Sequence, residues 1–276
     1  LTTNQTCTTD TYGVHTTYRI LRSGVYEGIY NDLYLAQIEI RNDDVRNRNL
    51  IPIAGLFQTL DGQQFTAQVT EITGQQNAKT SRVVNVWTEI PKGMDTSGMR
   101  LIFGEAVSGG KLAANNGAVD AIIQPVQYRL PDHDVAPVTS KDIEVAPFTL
   151  DILSFYPVYD QGDLAQNVLT IKMKYRLEKD FAYTNDTEER NYLIALEYAR
   201  GKSTFEQKLS VGDEASNTTL ALGEHELLLS KTYAKNFDFH LFDSYTLRIY
   251  EEFKGYKKLI AEKPFILYNL HDWSNE

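Results

Sequence analysis

A polar stretch at residues 41–50, RNDDVRNRNL, is one of the few places in the chain where side chains could bind a ligand or a metal. A calcium loop of the helix–loop–helix type needs acidic oxygens at alternate positions, a central Gly and a final bidentate Glu. Asn42 and Asp44 fit two positions, but the Gly and the Glu are missing, and three Arg side chains would repel a divalent cation.

Asn and Asp side chains in such a stretch also bond to their own backbone and turn the chain. We therefore predict that residues 41–50 form a long inter-strand loop and a contact surface, with no bound metal. The candidate binding residues of this loop are Arg41, Asn42, Asp43, Asp44, Arg46 and Asn47.

Three other motif-like stretches lack the groups that their chemistry needs. In residues 104–112, GEAVSGGKL, the glycines are too far apart for a phosphate-binding loop, and Leu112 replaces the hydroxyl that holds magnesium. His225 lies between two Glu residues, but strand neighbours point to opposite faces and cannot share one ion. Cys7 has no base beside it, and no G-x-S-x-G elbow occurs. We predict no catalytic residues, no metal site and no cofactor.

Aromatic side chains offer a second kind of binding surface. The chain has 17 Tyr and 12 Phe, and core packing accounts for most of them. Rings left on a strand surface would stack against sugar rings or a protein partner, because Tyr and Trp combine an apolar ring with a polar group. The candidate aromatic binding residues are Trp87 and Trp273.

The overall composition restricts the partners. A formal net charge of -10 argues against nucleic acid and against simple adhesion to an anionic membrane. No apolar run approaches the roughly 18 residues of a transmembrane segment, so none is predicted. A single cysteine cannot form an internal disulfide, which favours an exported bacterial protein or a cytosolic one. Because the chain starts at Leu1 rather than Met, we interpret it as mature or trimmed.

The alternation of apolar and polar residues predicts that the chain forms β-strands, which would position the candidate binding residues. The predicted inward face of residues 33–40 carries Tyr34, Ala36, Ile38 and Ile40. A later strand places Leu169, Ile171, Met173, Tyr175 and Leu177 on one face. Asp61-Gly62 and Lys254-Gly255 are typical of hairpin turns. Residues 189–202 have both helical and strand spacing, and we predict a strand because the alternation there is clean.

A Pro-rich stretch divides the chain. Residues 131–147 contain three Pro without hydrophobic periodicity, so we predict a linker. Seven or more short strands on each side predict two β-sandwich domains, at 14–130 and 148–276, after a flexible lead at 1–13. Both halves share an order of Ile-Leu, Val-Tyr, an acidic-Gly turn and a long alternating strand, which indicates a duplication.

Three elements within residues 14–108 form a recurrent pattern: a long strand ending in an Asn turn, an Asp-Gly hairpin, and a "pkG…sG…lvF" segment. They correspond to Leu35–Asn42, to Asp61-Gly62, and to Pro91-Lys92-Gly93 through Gly98 and Leu101-Ile102-Phe103. This pattern resembles the immunoglobulin-like domains of bacterial extracellular proteins and lipoproteins in the telokin-like, immunoprotective-antigen group. The second half has no "pkG" element.

The resemblance covers residues 14–108 and implies an immunoglobulin-like β-sandwich there, in a family of envelope or secreted modules without known catalysis. Together with the strand pattern of the second half, it leads us to predict an all-β chain of two tandem immunoglobulin-like β-sandwich domains joined by the Pro-rich linker. NQTC lacks the small and apolar residues of a lipidation site, so no lipid anchor is assigned at Cys7. We expect a non-enzymatic bacterial binding or structural protein, extracellular or in the cell envelope, with a protein or glycan ligand.

Three alternatives remain at this point. A pair of carbohydrate-binding modules requires a planar row of exposed Tyr or Trp. A hydrolase requires two carboxylates about 5–10 Å apart across a cleft. A protease inhibitor on a sandwich scaffold requires a protruding loop, for which residues 41–49 are the natural candidate.

Overall fold

The computed structural model describes residues 1–2, 4–11, 13–71, 74–113, 118–131, 136–160, 166–184, 191–198, 202–236 and 244–266. All regular elements in these residues are β-strands, so the predicted all-β class is confirmed. No helix with the length and apolar character needed to cross a membrane occurs in this part of the chain.

The first twelve strands are β1 Thr6–Thr11, β2 Val14–Tyr26, β3 Asn31–Asn42, β4 Arg48–Asn49, β5 Ile53–Gln58, β6 Gln64–Thr66, β7 Gln68–Val69, β8 Gln75–Gln76, β9 Ser81–Pro91, β10 Arg100–Ser108, β11 Lys111–Leu112 and β12 Ala121–Arg129. The remaining nine are β13 Ile143–Val145, β14 Phe148–Asp160, β15 Gln166–Lys179, β16 Asn191–Tyr198, β17 Lys202–Val211, β18 Thr219–Leu220, β19 Gly223–Ala234, β20 Ser244–Phe253 and β21 Tyr256–Ile266.

The chain forms two compact units. Unit 1 comprises Leu1–Val135 with Phe181–Asn185, and unit 2 comprises Ala136–Asp180 with Asp186–Glu276. The first boundary therefore falls inside the stretch predicted as a linker, whereas the short return to unit 1 at residues 181–185 was not predicted.

The linker prediction for residues 131–147 is wrong in its second part. Ile143–Val145 form β13, which pairs with β14, and both Ile143 and Val145 are fully buried. Val138 exchanges backbone hydrogen bonds with Ile260 and Glu262, at 3.1 and 2.9 Å. A three-residue strand is too short to show alternation, so its sequence does not distinguish it from a linker.

The prediction of a flexible lead at residues 1–13 is wrong over Thr6–Thr11. This segment pairs with β2 along its whole length, and Thr9 and Thr11 are buried. Threonine is β-branched and is favoured in strands, although it also gives the segment the polar composition of a loop.

The prediction that residues 148–276 form one continuous domain is wrong at residues 181–185. Within unit 1, the Ser81 amide donates to the Ala182 carbonyl at 2.9 Å, and the Thr184 amide donates to the Ser81 carbonyl at 2.8 Å. This pairing joins segments about a hundred positions apart in the sequence, so no local sequence pattern predicts it.

Unit 1 is built from two larger sheets and one short strand pair. The first sheet has the order β1-β2-β3-β9-β7, and the second has β11-β10-β5-β6 with β12 also on β10; β4 pairs with β8. Side chains of both sheets form one core, which includes the four β3 residues predicted to face inwards. At its centre the Phe103 ring contacts the rings of Tyr18 and Tyr128, with centroids 5.5 and 5.7 Å apart.

Unit 2 repeats this arrangement. Its sheets have the orders β13-β14-β15-β19 and β18-β17-β16-β20-β21, and they share a core containing all five β15 residues predicted to face inwards. Residues 191–198 form strand β16, as predicted. The Lys254-Gly255 hairpin joins β20 to β21 with φ angles of 52° and 85°, the left-handed backbone of a two-residue turn.

The two units also share an irregularity that supports a duplication. The pairing of β2 with β3 shifts register between Ile20 and Arg22, and the pairing of β14 with β15 shifts between Ile152 and Ser154. Each bulge falls on the Leu of an Ile-Leu dipeptide, Leu21 in the first hairpin and Leu153 in the second. β-Bulges are conserved among related proteins, so a bulge at the same position in both hairpins favours a common origin of the two hairpins.

We expect Tyr175→Phe to lower the free energy of unfolding by about 2 kcal/mol, measured by urea denaturation. The Tyr175 hydroxyl accepts a hydrogen bond of 2.9 Å from the amide of Ala221, and both residues are buried. Removing it leaves that amide buried without an acceptor. Tyr30→Phe deletes the same atom from a ring that is 86% exposed and should change little. Equal stabilities of the two variants would contradict this role for the hydroxyl.

Candidate binding loop

The polar stretch after β3 forms a surface loop of unit 1 that is fixed at both ends. Residues 43–47, here called the β3–β4 loop, begin where β3 leaves its sheet at Asn42. They end at β4, where Arg48 and Asn49 pair with Gln76 and Gln75 of β8. The loop therefore leaves one strand pairing and enters another within five residues.

The buried side chain of Asn42 holds the loop from beneath. Its Nδ2 donates to the carbonyls of Arg46, Gln76 and Asn77, at 2.9, 3.1 and 3.2 Å. Its Oδ1 accepts from the amide of Asp44 at 3.0 Å, which closes an Asx turn. Asn42 is only 1% exposed, so its role is to order the loop rather than to contact a partner.

The carboxylate of Asp44 joins the loop to β2 and β4. Its Oδ1 lies 3.2 Å from His15 Nδ1, and its Oδ2 lies 3.3 Å from Arg48 Nε. His15 Nε2 in turn lies 3.3 Å from Asp10 Oδ2. The hydrogen bond from His15 and the charge of Arg48 lower the pKa of Asp44 from its ordinary value, so the carboxylate stays ionised and paired at neutral pH.

The neighbouring Asp43 is held in the same way. Its carboxylate accepts from the Thr17 hydroxyl and lies 3.2 Å from Arg41 Nε. Its carbonyl accepts from Lys79 Nζ. Asn47 completes the set, because its Oδ1 accepts from the amide of Ala78 at 3.0 Å.

These contacts leave two side chains at the tip. Val45 is 82% exposed, and Arg46 beside it is exposed as well. Within the described residues the Arg46 guanidinium makes no ion pair or hydrogen bond, since only its backbone carbonyl is engaged. The loop therefore presents one apolar and one cationic side chain on a base that is already ordered, which lowers the entropy cost of binding.

The carboxylates of the loop already have hydrogen-bond or ion-pair partners within unit 1. Asp43 faces Arg41 and Thr17, and Asp44 faces His15 and Arg48. Among the residues that the structure describes, no group of three or more His, Cys, Asp or Glu is placed to hold a metal ion. The loop thus presents the side chains of Val45 and Arg46 to solvent, while the carboxylates of Asp43 and Asp44 make contacts within unit 1.

The structure brings the six predicted loop residues together but gives them different roles. Asn42, Asp43, Asp44 and Asn47 order the loop, whereas Arg46 is at its tip and Arg41 flanks it. Val45 and His15 were missed. The position of His15 follows from the hairpin register, because β2 and β3 pair so that Thr16 faces Asn42.

The two aromatic candidates do not join this loop. Trp87 lies in β9 opposite Leu35 and is 6% exposed, so its ring is not available to stack against a sugar. The prediction that Trp87 is a binding residue is therefore wrong for the folded chain. Trp273 lies outside the described residues.

Comparison with known proteins yields little. No family model matches the chain. No curated protein matches it. Two solved structures of β-glucuronidase from Parabacteroides merdae, one with glycerol in its active site, are 11% identical to it. They match 87% of this chain, which spans 28% and 29% of theirs, at TM-scores of 0.27 and 0.28. A likeness at this level carries no conclusion about fold or function.

Proposed function

We propose that this chain is a non-enzymatic binding protein of the bacterial cell surface or secretome, built from two immunoglobulin-like β-sandwich domains. The observation that carries the proposal is the pinned β3–β4 loop, with Val45 and Arg46 projecting from it. Loops on a rigid sandwich are a common place for recognition, because the scaffold fixes them while their tips vary.

The order of the strands supports the immunoglobulin-like assignment. In each unit the first long hairpin and a later strand form one sheet, as β2-β3-β9 and as β14-β15-β19. The other long strands form the second sheet, with β10 between β5 and β12 and with β20 between β16 and β21. This division matches the two sheets of an immunoglobulin-type sandwich.

The two side chains at the tip of the β3–β4 loop indicate the chemistry of the partner surface. Arg46 is a cation without an internal counter-ion in the described residues, and Val45 adds an apolar contact. Arg is enriched at interface hot spots, where it meets acidic groups around a buried apolar centre. The proposed ligand is therefore a protein surface with an apolar pocket and an acidic rim.

Two other functions have weaker support. A protease inhibitor needs an extended loop whose scissile carbonyl enters the oxyanion hole of the enzyme, but the Arg46 carbonyl is occupied by Asn42. A carbohydrate-binding module needs a row of exposed rings, but Trp87 is buried. We therefore favour protein recognition over both.

The test is a binding screen with purified proteins. The chain and its Val45→Asp/Arg46→Glu variant are applied to an array of bacterial envelope and host extracellular proteins and to a glycan array. We expect protein ligands whose affinity falls at least about tenfold in the variant, and no glycan ligands. Ile29→Asp changes a side chain that is 85% exposed in the β2–β3 turn and should bind normally. Protein binding that is unchanged in the double variant, or glycan binding alone, would contradict the proposal.

A further inference from the structure

A carboxylate lies in the core of unit 1. Glu105 of β10 is fully buried, two residues after the core ring of Phe103, and its side chain reaches from the second sheet to the first. Its Oε1 accepts a hydrogen bond of 3.1 Å from the hydroxyl of Thr9 on β1. Among the residues that the structure describes, Glu105 Oε2 has no hydrogen-bond partner, and no cationic side chain pairs with the carboxylate. A buried carboxylate without a counter-charge is costly, so a further group is needed here.

Two buried hydroxyls of the first sheet lie beside this carboxylate. Thr16 and Tyr18 of β2 are 1% and 2% exposed, and Thr16 stands directly opposite Thr9 in the pairing of β1 with β2. Burial and the Glu105 carboxylate raise the pKa of the Tyr18 hydroxyl well above its ordinary value, while the neighbouring hydroxyls of Thr9 and Thr16 lower it. The four side chains therefore meet in one buried place, here called the oxygen cluster: Thr9, Thr16, Tyr18 and Glu105.

Three atoms of the oxygen cluster lack a protein partner. Within the described part of the chain, Thr16 Oγ1, Tyr18 Oη and Glu105 Oε2 are buried and make no hydrogen bond. The next inward threonine of β1 shows the contrast, because Gln124 Nε2 donates to the hydroxyl of Thr11 at 2.7 Å. Buried polar atoms almost always have a partner in the protein, a bound water or a bound ion. Three such atoms in one place point to a ligand that contacts all of them.

The chemistry of the oxygen cluster favours an alkali-metal cation. Carboxylate and hydroxyl oxygens are hard ligands, which suit hard cations rather than the softer transition metals. A calcium ion takes about six to eight oxygen ligands. A divalent ion beside the single carboxylate of Glu105 would also leave a net positive charge in the core. A monovalent cation leaves the site neutral.

We propose that the oxygen cluster binds one alkali-metal cation, Na⁺ or K⁺, between the two sheets of unit 1. The Glu105 carboxylate supplies the counter-charge, the hydroxyls of Thr16 and Tyr18 supply lone pairs, and Thr9 orients the carboxylate. The cation thereby joins β1 and β2 of the first sheet to β10 of the second. The sequence analysis predicted no metal site, and hydroxyl ligands on paired strands have no characteristic spacing that would indicate one. The site is independent of the proposed function, because the β3–β4 loop is not part of it.

Thermal unfolding of the full chain in different salts tests the proposal. We expect one melting transition to lie about 5 °C higher in NaCl or KCl at about 150 mM than in choline chloride at the same ionic strength, because a cation that binds only the folded state stabilises it. Choline is too large to enter the oxygen cluster, and the equal ionic strength cancels general screening. The salt with the larger effect identifies the preferred cation.

Variants assign the effect to the oxygen cluster. Glu105→Gln keeps the shape but removes the counter-charge, and Tyr18→Phe removes one ligand oxygen, so in both the salt difference should fall below about 1 °C. Tyr18→Phe should be as stable as the wild type in choline chloride, since its hydroxyl has no partner among the described residues, and it remains informative if Glu105→Gln does not fold. Glu27→Gln and Tyr30→Phe change exposed side chains of the β2–β3 turn and should keep the wild-type salt difference.

Two results would overturn the proposal. Equal melting temperatures of the wild type in all three salts would mean that the oxygen cluster holds water only. A salt difference that persists unchanged in Glu105→Gln or in Tyr18→Phe would place the cation elsewhere in the chain.

Discussion

Replacement of Asn42 by Ala is expected to lower the free energy of unfolding by about 3 kcal/mol and to release the β3–β4 loop. The substitution leaves the carbonyls of Arg46, Gln76 and Asn77 and the amide of Asp44 without their side-chain partner. Gln76 is itself fully buried, so water does not readily replace the lost bonds. Urea denaturation measures the loss of stability.

Trypsin measures the release of the loop directly. Arg46 is exposed, but its carbonyl is held by Asn42, so the peptide bond after it should be cleaved slowly in the wild type. In Asn42→Ala we expect cleavage to be more than about tenfold faster, because proteolysis follows the population of the open loop.

Two further variants define the role of the Asn42 amide. Asn42→Asp has the same shape but sets a carboxylate against three carbonyls, and it should be at least as unstable as Asn42→Ala. Asn49→Ala removes an exposed amide from β4 and should behave as the wild type. Wild-type stability and wild-type cleavage in Asn42→Ala would show that the loop is ordered by other contacts.

Replacement of Asp32 by Ala is expected to cost about 3 kcal/mol of unfolding free energy. Asp32 is 4% exposed, and its carboxylate accepts from the amides of Gly93 at 2.8 Å and Gly28 at 3.2 Å. Lys92 Nζ lies 3.2 Å from the same carboxylate and also donates to the Gly28 carbonyl at 2.6 Å. One carboxylate thus joins the β2–β3 turn to the loop after β9.

Asp32 also makes stability depend on pH. Burial alone would raise the pKa of Asp32, but the two amides and Lys92 outweigh it and lower the pKa below its ordinary value. A group with a lowered folded-state pKa stabilises above its unfolded pKa of about 4, and this stabilisation is lost as pH falls through the folded pKa. Unfolding free energy should therefore decrease below about pH 4 in the wild type.

Two variants separate the charge of Asp32 from its hydrogen bonds. Asp32→Asn keeps a hydrogen-bond acceptor but cannot ionise. Its unfolding free energy should therefore be lower than that of the wild type at neutral pH and should decrease less as the pH falls below about 4. Asn31→Ala changes the exposed residue next to Asp32 at the start of β3 and should preserve the wild-type profile. An Asp32→Asn variant with the full wild-type loss of stability in acid would assign the pH dependence to other carboxylates.

Much of the strand framework is readable from local patterns. Alternation placed Tyr34, Ala36, Ile38 and Ile40 on one face, and the structure buries all four in the core of unit 1. Gln37, on the other face of the same strand, is fully buried as well. Alternation does not predict this, because a polar residue between apolar ones indicates a face of the strand that is exposed to solvent.

The wrong predictions share a physical cause. The strand at Thr6–Thr11 and the three-residue β13 owe their structure to a neighbouring strand rather than to a pattern of their own. The return of residues 181–185 to unit 1 depends on bonds to Ser81, far away in the sequence. β-Sheet contacts join distant segments, so the sequence of one segment is insufficient to predict them.

The same limit applies to the candidate site. The run of Asn, Asp and Arg after β3 indicated a loop, and that much is local. The contacts that order the loop come from His15 on β2, Gln76 on β8 and Lys79 just after it. The exposed position of Val45 follows only when all these contacts are in place, because its sequence neighbours alone would suit a mobile turn.

The most direct test of the account is the backbone order of the β3–β4 loop in the free protein, measured by ¹⁵N relaxation. If Asn42, Asp43 and Asp44 pin the loop, the order parameters of residues 43–47 should be close to the value of about 0.85 found in rigid strands. Values below about 0.6 across these residues would mean that the loop is mobile before it meets a partner, and the claim of a preformed binding surface would fail.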